Sequence, residues 1–460
     1  LSELIVSVSG VRGILGDSLT PQAIINYVSA FAEFAKEKSK KKTCSIVVGR
    51  DGRLHGDVVE KMVVSCLSMS GVKVVTIGVA PTPTVQLAAE LSRSDGAISI
   101  TASHNPQIWN GLKFLNSDGT FLDEVQIKKL ISIADRSNFA YSGIDKIAPP
   151  SYDNSWTKKH IAEILKLEIV DKKKIKNRKF KVVVDAVNSS GSFIVPELLE
   201  QLGCKVIRLY CDGSGIFPHT PEPLPQNLTG LANAVVKNKA DLGISVDPDA
   251  DRLVLITETG EPFSEENTIT TAVRHVLRKS KKKNATVNLS TTRAVDDVAE
   301  ELGGTVFRSA VGEINVVKKM MKNGSVIGGE GSGGVIYPAS HYGRDSLAGI
   351  VLILGELAQY GLSLNEYKKS LPQYHIAKAK IENVKNPDQV LKKIKKLNEK
   401  NDDLIRCWSN DGLKLDFKDF WVHMRKSNTE PIIRVITEAR TQEEAEKIQK
   451  SFLNQVKSLL

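Results

Sequence analysis

The strongest constraint on how this chain can fold is a set of parts used three times. An apolar run at residues 44–49 leads through a polar turn into a helical stretch that ends near Ser70-Gly71. Further apolar runs follow at 72–77 and 97–100, and the last of them opens into a polar loop. The same order returns at 181–185, a helical stretch at 193–201, 205–210 and 242–246, and again at 286–290, 305–307 and 325–327. Short apolar runs alternating with helical segments predict doubly wound α/β units with parallel strands. In such sheets ligands sit beyond the carboxyl ends of the strands. Each round delivers its most unusual loop to that position. The tail differs. After an apolar helix at 347–362 the chain turns lysine-rich, then shows strand-like runs at 412–417, 421–425 and 432–436. A terminal helix from Gln442 follows, with Ala445, Ile448, Phe452 and Val456 at helical spacing. The expected architecture is three similar doubly wound α/β domains, 1–149, 150–257 and 258–371, plus a smaller C-terminal α+β domain, 372–460.

At 460 residues the chain exceeds what one ordinary core holds together, which agrees with several domains. Hydrophobic residues make up 41% and charged residues 25%, the balance of a globular protein without membrane spans. No apolar run reaches spanning length, and no charged region followed by an apolar stretch stands at the start. No membrane association and a cytoplasmic location are therefore expected. Five cysteines, odd in number and without a C-x-x-C pair, argue against a disulfide framework or a zinc ribbon and for a reducing compartment. The net charge of +10 gathers at 172–181, 279–283 and 392–400. These lysine runs lack interleaved aromatics and read as solvated helix ends, so the expected partners are anionic metabolites and not nucleic acid. Self-association is left open.

The first loop reads Thr101-Ala102-Ser103-His104-Asn105-Pro106. It offers an exposed hydroxyl, Ser103, beside His104, which can relay a proton or bind phosphate. The bland alternative is a turn serine bonded to its own backbone. Lys113, in Asn110-Gly111-Leu112-Lys113, stands close enough in sequence to serve the same site. The second loop reads Asp247-Pro248-Asp249-Ala250-Asp251-Arg252. Three carboxylates at alternate positions suit one hard divalent cation, leaving room for water and a phosphoserine oxygen. A calcium EF-hand fits the start, and Glu258 even falls at its twelfth position. However, Arg252 stands where that loop needs glycine, and an apolar strand follows at once. The third loop, Gly329-Glu330-Gly331-Ser332-Gly333-Gly334, formally matches the dinucleotide fingerprint, but that motif must open a helix. Here Val335-Ile336-Tyr337-Pro338 is extended and proline-broken, so Glu330 and Ser332 read better as hydrogen-bonding partners for sugar hydroxyls. A fourth polar run, Arg425-Lys426-Ser427-Asn428-Thr429-Glu430-Pro431, packs a guanidinium, two hydroxyls and an amide into one turn, with Arg434 as a second cation. Arg12, in Ser9-Gly10-Val11-Arg12-Gly13, is placed to close the site from the N-terminus. A hydroxyl, a cation site and phosphate-binding groups are the working parts of phosphoryl transfer.

These four loops, in this order and across nearly the whole chain, resemble those of the α-D-phosphohexomutase family. The resemblance implies four domains around a central cleft and transfer of a phosphoryl group between O6 and O1 of a hexose. It implies that Ser103 is phosphorylated and shares Mg²⁺ with Asp247, Asp249 and Asp251. A hexose 1,6-bisphosphate would be both intermediate and activator. Arg252 and Lys113 would position or deprotonate the reacting hydroxyl, and Arg12 and His104 would complete the catalytic set. Arg425, Ser427, Asn428, Thr429 and Arg434 would hold the non-reacting phosphate, and Glu330 and Ser332 the sugar. Gly334 stands where bacterial members often carry histidine, which leaves the acid–base role open, with His341 as a substitute. Pro248 and Ala250 replace glycines of many relatives. The Glu-Gly-Ser-Gly-Gly and His-Tyr-Gly-Arg-Asp pattern is most similar to phosphoglucosamine mutases, with phosphomannomutase/phosphoglucomutase as the alternative.

Overall fold

The computed structural model describes residues 3–426 and 432–460. Four sheets organise them, of seven, four, four and five strands. The first three share one topology. In the first, Ser45–Arg50 pairs in parallel with Lys73–Val79 on one side and Gly96–Ile100 on the other, and Trp109–Leu115 returns antiparallel to Gly96–Ile100. In the second, Lys181–Asp185 lies between Lys205–Leu209 and Leu242–Val246, and Leu253–Thr257 returns antiparallel. In the third, Asn284–Asn288 lies between Thr305–Ser309 and Ile327–Glu330, and Gly334–Ile336 returns antiparallel. The sheets are thus mixed: each has the parallel strands that the sequence pattern predicts, joined by an antiparallel return strand. The cause is loop length. A connection of a few residues can join only antiparallel neighbours, whereas a parallel crossover needs a dozen or more. A fully buried return strand such as Leu253–Thr257 carries the same continuous apolar pattern as a parallel one.

Every return strand begins where a special loop ends. Each loop is therefore pinned on both sides by a sheet, which fixes its side chains more tightly than a free crossover would. The hairpin of Ile5–Ser7 and Gly10–Ile14 extends the first sheet and sets Arg12 opposite Gly111. A Cβ at Gly111 would lie 2.6 Å from the Val11 carbonyl oxygen and 2.8 Å from that of Thr101, so only glycine lets the Arg12 strand and the serine loop approach this closely.

The second and third sheets share one apolar core, which runs from Ile161 to Leu371 and includes most of the helix Ser346–Tyr360. The first sheet and the C-terminal sheet each have their own. The C-terminal sheet is wholly antiparallel, in the order His375–Ile381, Ile433–Ala439, Trp421–Lys426, Leu413–Phe417, Leu404–Trp408. Helices Pro387–Asn398 and Gln442–Lys457 cover it. The latter starts on a capping box made by Thr441 and Glu444. All five cysteines are free.

Candidate active site

The Ser103 loop is built before its chemistry begins. Ser103 has φ +50, a left-handed conformation that bulky residues avoid. Its amide donates to Thr101 Oγ1 at 2.8 Å. Arg53 holds the rest. Its guanidinium donates to the carbonyls of Ser103, Asn105, Pro106 and Trp109. Its Nε donates to Asp51 Oδ2 at 3.0 Å, and Asp51 accepts from Thr101 Oγ1 at 2.6 Å. A buried guanidinium of this kind satisfies carbonyls that a tight turn would otherwise leave unpaired.

Held this way, Ser103 Oγ donates to Asp247 Oδ2 at 3.0 Å, joining the first and second sheets at one point. Asp247, Asp249 and Asp251 are all buried, and their ligand oxygens lie within 4.8 Å of one another. Lys113 Nζ donates to Asp249 Oδ2 at 2.6 Å and to Asp251 Oδ2 at 3.3 Å. Thr82 Oγ1 also donates to Asp249 Oδ2, at 2.6 Å. Asp249 Oδ1 and Asp251 Oδ1 remain buried without a hydrogen bond. Burial, then Asp251 and Asp249, push the Asp247 carboxyl well above its usual range. Burial acts on Asp249 too, but Lys113, Thr82 and Arg344 together outweigh it and hold that carboxyl low. Unpaired carboxylate oxygens facing one another in the interior are what a divalent cation would satisfy, and hard oxygen donors suit one such as Mg²⁺.

Next to this cluster opens a cleft of about 490 Å³. All four sheets contribute to its wall: Arg12 and His104, Arg252, Glu330 and Ser332, and Arg425 and Arg434. His104 Nδ1 lies 3.4 Å from Ser103 Oγ. Burial, then Arg252 and Arg12, lower the imidazole pKa to about 2, so the ring is neutral. Arg12 Nη1 donates to Asn105 Oδ1 at 3.3 Å, while Arg12 Nε and Arg252 Nε are buried without a hydrogen bond. Arg425 Nε donates to Asp411 Oδ1 at 2.9 Å.

Models of the phosphoglucomutase/phosphomannomutase α/β/α domains I, II and III match residues 4–141, 158–260 and 265–374, and that of the C-terminal domain matches 378–455. The chain belongs to the phosphoglucomutase/phosphomannomutase family. It is 34% identical to a phosphoglucomutase/phosphomannomutase of Thermococcus kodakarensis, over 95% of this chain and 94% of that one. It is 32% identical to a phosphoglucosamine mutase of Methanococcus maripaludis, over 98% of each. A crystal structure of a phosphoglucomutase/phosphomannomutase family protein from Burkholderia thailandensis superposes with a TM-score of 0.84 at 25% identity, covering 99% of this chain and 98% of that one.

Against the family pattern, the space beside Gly334 is informative. A Cβ there would lie 2.3 Å from Arg344 Cδ. Arg344 therefore runs through the volume that a side chain at 334 would need. Its Nη2 donates to Asp251 Oδ2 at 2.6 Å, its Nη1 to Glu330 Oε2 at 3.0 Å and its Nε to Glu313 Oε2 at 3.0 Å. Glu330 Oε1 also accepts from Asn288 Nδ2 and the Gly312 amide. His341, the expected substitute for the missing histidine, is not on the cleft wall. It is buried beside His160 and Asp345, the residue that caps helix Ser346–Tyr360. Ser427, Asn428 and Thr429 lie outside the described residues.

Arg53, Thr82, Glu313 and Arg344 are the partners that sequence reasoning passes over. A usable signal existed for three of them. Arg53 follows Ser45–Arg50, Thr82 follows Lys73–Val79 and Glu313 follows Thr305–Ser309, so all three stand just past the carboxyl end of a parallel strand.

Proposed function

We propose that this protein is a phosphohexomutase that interconverts hexose 6-phosphate and hexose 1-phosphate through phosphorylated Ser103 and a hexose 1,6-bisphosphate. The observation that carries this reading is Ser103 Oγ at 3.0 Å from Asp247 Oδ2, on the wall of a cleft that also holds Arg12, Arg252, Arg344, Arg425 and Arg434. Such a cation ring can hold a phosphate at each end of one sugar.

In the first half-reaction the free sugar hydroxyl attacks the phosphorus on Ser103, and the bond to Ser103 Oγ breaks. The hydroxyl's proton goes to Glu313, a buried carboxylate on the cleft wall whose burial raises its pKa towards that of a working base. Ser103 Oγ departs as an alkoxide to which neutral His104 donates a hydrogen bond, and it keeps that charge until it attacks the second phosphoryl group, when Glu313 returns its proton to the departing sugar oxygen. The bisphosphate then turns over in the cleft, and Ser103 takes the other phosphoryl group by the same steps reversed. Mg²⁺ held by Asp247, Asp249, Asp251 and the phosphoserine would neutralise charge on the transferring group. Arg252 and Lys113 orient the reacting end, while Arg425, Arg434, Ser427, Asn428 and Thr429 would take the distal phosphate. Glu330 and Ser332 hold the sugar hydroxyls.

The sugar is assigned as glucosamine. The relative from M. maripaludis carries that name over nearly its whole length. Glu266 adds a physical reason: its carboxyl packs so closely on Gly331 that a Cβ there would lie 2.0 Å from Oε1. Burial raises that carboxyl to about 8, and a 2-ammonium group beside it would offset the cost of its ionisation. Free cysteines are in keeping with work in the cytoplasm.

The test is a coupled assay with glucosamine, glucose and mannose 6-phosphates, the cognate bisphosphate and Mg²⁺. Glucosamine 6-phosphate is expected to give the largest kcat/KM. Ser103→Ala is expected to fold and to be inactive; full activity in that variant would overturn the mutase reading. Release of inorganic phosphate without isomerised sugar would make the protein a phosphatase.

A further inference from the structure

Away from the cleft, two imidazoles and a carboxylate meet in the interior. His160 lies on helix Trp156–Lys166, and His341 and Asp345 lie just before helix Ser346–Tyr360. Their exposures are 0%, 3% and 1%. Asp345 Oδ2 is 3.1 Å from His160 Nε2 and 3.4 Å from His341 Nε2, and one donor atom from each of the three lies within 4.8 Å of the others. Thr84, from helix Thr82–Leu91 beneath the first sheet, places Oγ1 2.9 Å from His160 Nδ1. Residues matched to three successive domains of the family thus converge here.

Hydrogen bonding alone accounts for only part of this arrangement. His160 is satisfied, by Thr84 on one side and Asp345 on the other. His341 is not. Both of its ring nitrogens are buried without a hydrogen bond, and its 3.4 Å approach to Asp345 lacks hydrogen-bond geometry. The preceding Ser340 Oγ is likewise buried and unpartnered. Idle polar groups of this kind are rare in folded interiors. Asp345 Oδ1 is already engaged by the Leu347 amide at 2.8 Å, which leaves Oδ2 as the face turned to both imidazoles.

We propose that His160, His341 and Asp345 form a binding site for a zinc-type divalent ion that fastens the three α/β units together. Two neutral imidazoles and one carboxylate are a donor set zinc takes readily, and bonds of about 2.0–2.1 Å in a tetrahedron place neighbouring donors about 3.3 Å apart. The two observed separations from Asp345 Oδ2 fall on either side of that value. Thr84 supplies the outer partner that such sites use: Nδ1–H donates to its hydroxyl, which fixes the tautomer and turns the Nε2 lone pair towards the ion. The donor set differs from the all-oxygen Asp247–Asp249–Asp251 cluster, so the two sites prefer different metals.

The experiment uses the full chain, stripped with chelator, then given zinc chloride in excess Mg²⁺ so that the aspartate cluster is filled. After gel filtration the wild type is expected to retain one zinc per chain and to unfold at a higher temperature than the Mg²⁺-only protein. His341→Ala should lose both effects, while Asp249→Asn keeps them. Thr84→Val should bind about tenfold more weakly, through loss of the orienting hydroxyl. Because His341→Ala could fail to fold, wild type loaded with Co²⁺ is read by visible absorption, where a tetrahedral site gives intense bands and an octahedral one weak bands. The proposal is overturned if wild type retains no zinc, if zinc leaves with Asp249→Asn and stays in His341→Ala, or if Co²⁺ reports octahedral oxygen ligation alone.

Discussion

Arg344 Nη2 meets Asp251 Oδ2 at 2.6 Å, so a residue beside the Gly334–Ile336 strand of the third sheet directly touches the carboxylate cluster of the second. The same guanidinium also serves Glu313 and Glu330, and burial is outweighed by these three carboxylates, which hold it charged. One planar fork therefore ties the aspartate cluster to Glu313 and Glu330 on the wall of the cleft.

Arg344→Lys keeps the charge but loses the fork, since an ammonium cannot reach three carboxylates in three directions. We expect kcat/KM to fall about 100-fold, on the order of 3 kcal/mol of transition-state stabilisation. Thermal unfolding should change less, because the charge remains. Arg344→Ala should lower stability as well, by about 3–5 kcal/mol, because Glu313 and Glu330 would lose the cation that each of them pairs with. Steady-state kinetics beside chemical denaturation separate the two effects.

Arg53→Lys tests whether the Ser103 loop is held from outside. The lysine retains one cation but cannot serve four carbonyls, so hydrogen exchange at the amides of 103–105 and 107–109 should accelerate while the strands of the first sheet keep their protection. Phosphorylation of Ser103 by a hexose 1,6-bisphosphate, followed by mass spectrometry, should slow in parallel.

The parts of this site that were legible in the sequence come as clusters. Ser103 sits among turn residues straight after an apolar run, and three aspartates at alternate positions have few other uses. The parts that were not legible are single residues whose meaning depends on where a long side chain ends. In the run at 341–345 the sequence draws attention to His341, because histidine is the usual acid–base residue. The fold instead turns His341 inward and sends Arg344 through the space beside Gly334. Strand direction was hidden for a similar reason. The run at 253–256 is apolar throughout, a pattern that buried parallel and buried antiparallel strands share, and only the short loop before it decides. The strands His375–Ile381 and Leu404–Trp408 escaped notice because lysines and arginines on their outward faces break the apolar pattern.

Glu313→Gln preserves size and keeps one acceptor oxygen, enough for either the Arg344 amide or its Nε but not both, and it cannot take a proton. The expected outcome is a kcat lowered about 100-fold or more with KM little changed, since removal of a general base acts on the chemical step. The acid limb of the kcat–pH profile should disappear with it. An unaltered kcat would remove Glu313 from the mechanism and leave the rest of the site as described.

His423 offers a pH test of how the C-terminal sheet is attached. Its ring lies between Ser290 Oγ at 2.8 Å and the Asp411 carbonyl at 2.8 Å, and Asp411 in turn pairs with Arg425 on the cleft wall. Burial, foremost, lowers the His423 pKa from 6.5 to about 4 in the folded protein. The unfolded chain therefore binds a proton between pH 6.5 and 4 that the folded chain refuses, so stability is full above pH 6.5 and falls through that window. The loss amounts to about 3 kcal/mol at most, taking 1.36 kcal/mol per pH unit. Chemical denaturation at pH 7.5, 6, 5 and 4.5 should show this decline in wild type. In His423→Gln, which keeps a donor and an acceptor but does not titrate, the decline should be shallower by that amount. Identical pH profiles for the two proteins would mean that the ring is protonated in place and that the contact with Ser290 survives its charge.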